Sequence, residues 1–128
     1  MLNKIEIFNM ADAMARHAAT RQSAVAQNIA NADTPGYKAR DVASFSDTYQ
    51  NQTSDGLRST RPGHFLPGES AYSVPLQIRQ DPGTESPNGN TVSLEQEMLT
   101  ATDVKRQHDK ALTVYSSSLN ILRTAIGR

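Results

Sequence analysis

Towards the C-terminus the apolar positions recur in two interleaved lines spaced by seven: Leu94, Ala101, His108, Tyr115 and Leu122, and Met98, Lys105, Leu112, Leu119 and Ile126. Spacing of this kind, sustained over five positions in each line, predicts a coiled-coil-like helix, with Lys105 and His108 as polar intrusions. Asn90, Thr91 and Ser93 are cap candidates ahead of it, Glu95 and Glu97 suit a helix N-terminus, and Gly127 ends it. At the other end Phe8, Ala11, Ala15, Ala18, Val25 and Ile29 recur at helical spacing, flanked by Ile7 and Met14 and interrupted by Gln22. That stripe is mostly alanine, so a partner helix can come close, but each residue buries little area. Between the two, Tyr72, Val74, Leu76 and Ile78 alternate with polar residues as in a half-buried strand, and Pro75 confines that strand to an edge.

All six prolines and six of the seven glycines fall between positions 35 and 89. Pro and Gly cost about 3 and 1 kcal/mol in a helix interior, so their absence elsewhere leaves two uninterrupted helical segments. The predicted organisation is an N-terminal helix over 1–34, a turn and irregular or β insert over 35–89, and a C-terminal heptad helix over 90–128, forming one structural unit. The fold class is mainly α: two long terminal helices pair as a coiled-coil-like bundle around a loop-rich middle with a little β. The stretch Gln50 to Glu69, rich in Ser, Thr, Asn, Gly, Pro and Arg and poor in apolar residues, is expected to be mobile until something covers it.

A length of 128 residues fits one domain. Only 37% of the residues are hydrophobic and there is no Trp. The core of a monomer would be thin, which points to burial between molecules. Thirteen basic residues balance thirteen acidic ones. That leaves no cationic field for nucleic acid, and the cluster Arg58, Arg61 and His64 reads as a solvated loop face. The apolar runs are too short to insert in a membrane. Charges at Glu6, Asp12, Arg16 and Arg21 are at odds with a cleavable signal peptide.

No residue set suggests catalysis, a metal or a cofactor. Cysteine is absent, and His17, His64 and His108 lack metal-ligand spacing. No G-x-S-x-G elbow or Gly-rich phosphate loop occurs.

The informative segment is Asn28-Ile29-Ala30-Asn31-Ala32-Asp33-Thr34-Pro35-Gly36-Tyr37. Asn31 can adopt the left-handed conformation that closes a helix, Pro35 fixes φ at the second position of a turn, and Gly36 supplies the positive φ that a type II turn needs next. Tyr37 then leaves at a fixed angle, so the whole is a rigid corner. This ANxxTPGY-like stretch resembles the N-terminal motif of the bacterial flagellar rod and hook proteins. The segment Gly89 to Met98 and the ending Ala111-Leu112, Tyr115, Leu119, Leu122 and Ala125-Ile126 resemble the proximal rod members of that family. Thr60 and His64 are similar to an element of the same subfamily. In the middle of the last helix the chain departs from many relatives, carrying Asp103 to His108 with Lys105 at a seam position.

The resemblance implies a structural protein, not an enzyme, whose terminal helices pack with those of neighbours into a hollow helical rod that transmits torque and conducts exported subunits. It implies export by the flagellar apparatus without signal cleavage and a place in the basal body, in the periplasmic rod. The implied partners are further copies, other rod proteins (FlgC, FlgF and FlgG), the adaptor FliE, the membrane ring protein FliF and the export gate. Asn28, Asn31, Thr34, Pro35, Gly36 and Tyr37 would set the corner. Leu94, Met98, Leu112, Tyr115, Leu119, Leu122 and Ile126 would fill the assembly seam. Another rod-family subunit, or a coiled-coil adaptor that forms no filament, is the alternative.

Overall fold

The computed structural model describes residues 2–54, 74–80 and 85–127. Five elements follow in order: α1 (Leu2–Ala30), β1 (Arg40–Val42), α2 (Phe45–Ser54), β2 (Leu76–Ile78) and α3 (Leu94–Ile126). The molecule is mainly helical, as the placement of Pro and Gly predicts. The two long helices pair antiparallel: Asn28 of α1 meets Glu97 at the start of α3, and Phe8 meets Tyr115 further along it, edge to face with ring centroids 5.3 Å apart.

Small side chains make up the buried apolar surface of the two helices, Ala13 and Ala24 lying on the same side of α1 as His17. The buried apolar residues are Ala11, Ala13, Ala18, Ala24 and Val25 on α1 and Val104 and Ala111 on α3. Side chains of this size let two helix backbones approach closely, at the cost of transfer energy per residue. The innermost line of α3 is therefore Glu97, Val104 and Ala111, also spaced by seven but one position away from Met98, Lys105 and Leu112. Those three, with Ile126, face outward, Met98 at 61% and Ile126 at 75% exposure. Of the other heptad line, Ala101, His108 and Leu122 are half-buried, while Leu94 and Tyr115 are exposed. Lys105 is exposed and does not intrude between α1 and α3. On α1 the stripe holds except at its end: Ile29 is exposed, and Asn28 takes the buried place.

The insert departs from expectation in two ways. A ten-residue helix, α2, covers Phe45–Ser54, reaching into the segment expected to be irregular. Its signal is Ser44, three residues before Asp47. The Ser44 hydroxyl bonds the Asp47 carboxylate at 2.6 Å and accepts the Asp47 N–H at 3.3 Å. Ser44 is thus a side-chain N-cap, and the Asp47 carboxylate closes back on its hydroxyl. The second departure concerns the strand. Leu76–Ile78 pairs antiparallel with β1, Arg40 opposite Ile78 and Val42 opposite Leu76. Both Leu76 and Ile78 are nonetheless exposed, and Val74 alone of the described members of that alternation is buried. A two-stranded ribbon has one covered face at most, and the side of α1 takes up β1. Arg58, Thr60, Arg61, His64, Tyr72 and the rest of the stretch from Asp55 to Glu69 lie outside the described residues.

Candidate functional site

The corner after α1 forms as a turn, but Asn31 does not close the helix in the left-handed conformation. Gly36 (φ +73°) and Gly89 (φ +83°) have positive φ, and no other described residue does. The helix ends by tightening: the Asn31 N–H is shared between the carbonyls of Gln27 and Asn28 at 3.1 and 3.2 Å, and that of Ala32 bonds Ile29. The Asn31 amide turns back onto the Gln27 carbonyl at 2.8 Å. A side-chain donor thus satisfies a terminal carbonyl, which removes the need for a strained backbone. Thr34 to Tyr37 then make a β-turn, with the Tyr37 N–H on the Thr34 carbonyl at 3.3 Å, Pro35 second and Gly36 third. This is the type II arrangement the residues predict.

A second turn leans on the first. Residues 86 to 90 form a tight loop, with the Gly89 N–H on Ser86 and the Ser86 N–H on Asn90, both at 2.8 Å. Pro87 follows Ser86, and Gly89 takes the positive φ that such a bulged loop requires. A Cβ on Gly89 would stand 3.4 Å from the Gly36 Cα, so the two turns are in backbone contact. The Gly36 N–H donates to the Asn88 carbonyl at 3.0 Å, and the Thr91 N–H to that of Tyr37 at 3.0 Å. The Ala39 N–H donates to the Thr91 hydroxyl at 2.8 Å. Lys38 reaches Glu85 at 2.7 Å. Hydrogen bonding to Lys38, then its positive charge, hold the Glu85 carboxyl below its ordinary value of 4.5.

Behind the corner lies a buried polar node. Asn28, fully buried, donates to the Arg40 carbonyl at 2.7 Å and accepts the Arg40 N–H at 2.9 Å. Its amide replaces a strand neighbour for β1 and satisfies both backbone groups at once. The same side chain donates to Glu97 at 3.2 Å and accepts from the Tyr37 hydroxyl at 3.3 Å. Glu97 is also fully buried and forms an ion pair with Arg79, just past β2, at 2.9 Å. That contact is close but angled away from an aligned hydrogen bond. Its strength is therefore mainly Coulombic, and it gains from the low dielectric around it. Placing Glu97 in the first turn of α3 adds the favourable end of the helix dipole. Asn28, Tyr37, Arg40, Arg79 and Glu97 thereby tie α1, the corner, both strands and α3 at one point.

Higher along α1, His17 donates from Nε2 to the Ala43 carbonyl at 2.7 Å and lies edge-on to Phe45. Arg21 clasps Asp41 through two bonds of 3.0 and 3.2 Å. One face of α1 therefore carries α3 and another holds the insert.

Of the residues expected to act here, Asn28 and Tyr37 belong to the node. Asn31, Thr34, Pro35 and Gly36 belong to the turn, with the Thr34 hydroxyl 3.3 Å from the Asn31 side chain. The seam residues divide. Tyr115, Leu119 and Leu122 line an open groove of about 430 Å³ with Phe8, Asn9 and Asp12, whereas Leu94, Met98, Leu112 and Ile126 face outward away from α1. The cap candidates of α3 are used otherwise. Ser93 stands at the N-cap without a side-chain cap bond. Thr91 serves Ala39, and the buried Asn90 aims its amide at the end of α1. Glu97, Arg79 and Asn90 are members of the joint whose contacts sequence reasoning missed, Asn90 and Glu97 having been read only as features of the α3 N-terminus. For Glu97 the available signal was its spacing of seven from Val104 and Ala111.

The arrangement is a joint, and the exposed large apolar side chains lie mainly along the two long helices that it connects. The comparisons agree with that reading. The family model described as "Flagella basal body rod protein" matches residues 12–38, which take in α1 from Asp12 onward and the corner. The chain is 32% identical to the flagellar basal body rod protein FlgB of Agrobacterium fabrum, over 99% of this chain and 97% of that protein. It is 34% identical to the protein of the same name from Cereibacter sphaeroides, over 84% and 83%, and 32% identical to that of Salmonella typhimurium, over 79% and 78%. With the corner motif, the paired terminal helices and similarity along nearly the whole length in agreement, the chain belongs to the flagellar basal body rod protein family and is a structural component of the rod.

Proposed function

We propose that the chain is a subunit of the proximal rod, building through its terminal helices a hollow helical drive shaft that transmits torque and conducts exported subunits. The observation that carries this is an inverted distribution of apolar side chains among the described residues. The interior of the helix pair is Ala and Val, whereas Ile7, Met10, Leu94, Met98, Leu99, Leu112, Ile121 and Ile126 are exposed. A leucine-sized side chain gains about 1.5–3 kcal/mol on burial. Most of what these helices can gain therefore awaits a neighbour. A subunit with different, complementary surfaces on its two helices makes contacts that propagate without closing, as a filament requires; a lone adaptor would need one such surface.

In this reading Asn28, Asn31, Thr34, Pro35, Gly36 and Tyr37 orient the insert against the helices. Leu94, Met98, Leu112, Tyr115, Leu119, Leu122 and Ile126 fill the seam between subunits. The division into an assembly helix over 1–34, an insert over 35–89 and a second assembly helix over 90–128 belongs to the same proposal. So do a periplasmic site, export without a cleaved signal, and contacts with FlgC, FlgF, FlgG, FliE, FliF and the export gate. The test is deletion in the flagellated source bacterium, scored by electron microscopy of basal bodies and by secretion of later axial proteins. Loss of rods and of that secretion, both restored by the intact gene, is expected. Complete rods in the deletion strain would overturn the proposal.

A further inference from the structure

The corner after α1 looks self-contained in sequence, yet most of its hydrogen bonds come from elsewhere in the chain. Its own backbone contributes Thr34 N–H to Asn31 at 3.1 Å and Tyr37 N–H to Thr34 at 3.3 Å. The carbonyls of Asn31, Ala32 and Thr34 converge instead on the side-chain amide of Asn90, at 2.9, 2.8 and 2.8 Å. An amide has two hydrogens, so one of them is shared, and the three oxygens are held around a single donor. Asn90 is 1% exposed. Its other side-chain atom accepts the Val92 N–H at 2.8 Å, and its own N–H donates to the Asn88 side chain at 3.1 Å. Fixed at both ends, it has one orientation. Beside it run the cross-bonds from Gly36 to Asn88 and from Thr91 to Tyr37.

We propose that Asn90 is the positioning residue of the corner, so that the exit direction from α1 is set only when the segment leading into α3 has docked. Before docking, three carbonyls past the helix end have no common donor, and water satisfies them in many backbone arrangements. After docking, one arrangement remains. The corner is thus a closure-dependent device: a chain whose two halves have not met does not present it. The consequence for rod building rests on the proposed function, because it assumes that the corner orients the insert in the assembly.

The test separates the two. Amide hydrogen exchange on the isolated full chain is compared with Asn90→Ala and with the isosteric Asn90→Asp, whose carboxylate would face the three carbonyls. The expected result is exchange at Gly36 and Thr91 accelerated by about tenfold or more, with the α1 amides around Ala18 changed less than about twofold. Because the chain has no cysteine, Lys38→Cys and Glu85→Cys can be bridged by a short bis-maleimide across the span of their ion pair. In the Asn90→Ala background this bridge should restore protection at Gly36. Unchanged exchange at Gly36, or collapse of both long helices together in both variants, would overturn the proposal, the latter because Asn90 would then hold the helices and not the corner. Motility of the variants is scored separately: a loosened corner with normal rods leaves the positioning role standing and refutes the corner's part in assembly.

Discussion

Gly36 is held by conformation alone. Its φ is +73° and a Cβ there would meet nothing within 4 Å, so the cost of a side chain is the left-handed backbone and not a clash. Gly36→Asn should then lose less stability than Gly36→Val, with valine costing on the order of 1–2 kcal/mol, as read by thermal unfolding of the two variants. Had side-chain space been the constraint, the two would fall together. Asn28 and Glu97 depend on one another. Glu97→Ala removes the carboxylate paired with Arg79, a loss on the order of 3 kcal/mol, whereas Glu97→Leu with Arg79→Met should recover much of it in denaturant titration. The Lys38–Glu85 pair is exposed and screened by solvent. Because Lys38 lowers the Glu85 pKa, the tie is present above the ordinary carboxyl value of 4.5 and weakens as pH falls through the lower folded value. Lys38→Ala should move the Glu85 titration upward when followed by carboxyl carbon NMR. Pro35 and Gly36 were legible from one sequence because a type II turn needs those residues in that order. The roles of Asn90 and Glu97 were hidden, since their partners are 59 and 69 positions away.

At the scale of elements, each helix is one periodicity serving two surfaces. In α3 the line Glu97, Val104 and Ala111 packs inward while Met98 and Leu112 point out. The heptad fixed that this is a helix with a seam but not which line α1 would cover. Small residues won the inner place because α1 offers alanines, and close backbones leave no room for leucine. Val104→Asp should therefore abolish the helix pair, costing several kcal/mol. Leu112→Asp should leave monomer stability within about 0.5 kcal/mol, measured by circular dichroism melts, and still block assembly. Leu119→Asp, in the groove with Phe8 and Tyr115, should do some of both. The helix α2 was missed because its Ser44 N-cap lies in a segment otherwise rich in loop-forming residues. Ser44→Ala should cost it about 1 kcal/mol, visible as faster exchange of the amides from Thr48 onward.

For the whole molecule, a core of Ala and Val between two long helices sets a low ceiling on the stability of one copy. The buried node lies where α1 ends and α3 begins, while towards the other end of the pair Phe8 packs on Tyr115. Dilute subunits should show hydrogen-exchange protection that falls steadily from Asn28 towards Phe8, whereas a uniformly protected α1 in a verified monomer would argue against burial between subunits. The sequence by itself determined the two helices, the insert between them, the turn at Pro35 and Gly36 and the family, because each is written in local spacing or in residues confined to special φ values. Only the tertiary structure decided which heptad line became the interior, that Glu97 and Asn28 share one buried point with Arg79, and that Asn90 completes the corner. These are contacts between distant segments, and the free energy that selects among them is a property of packing that no local pattern carries.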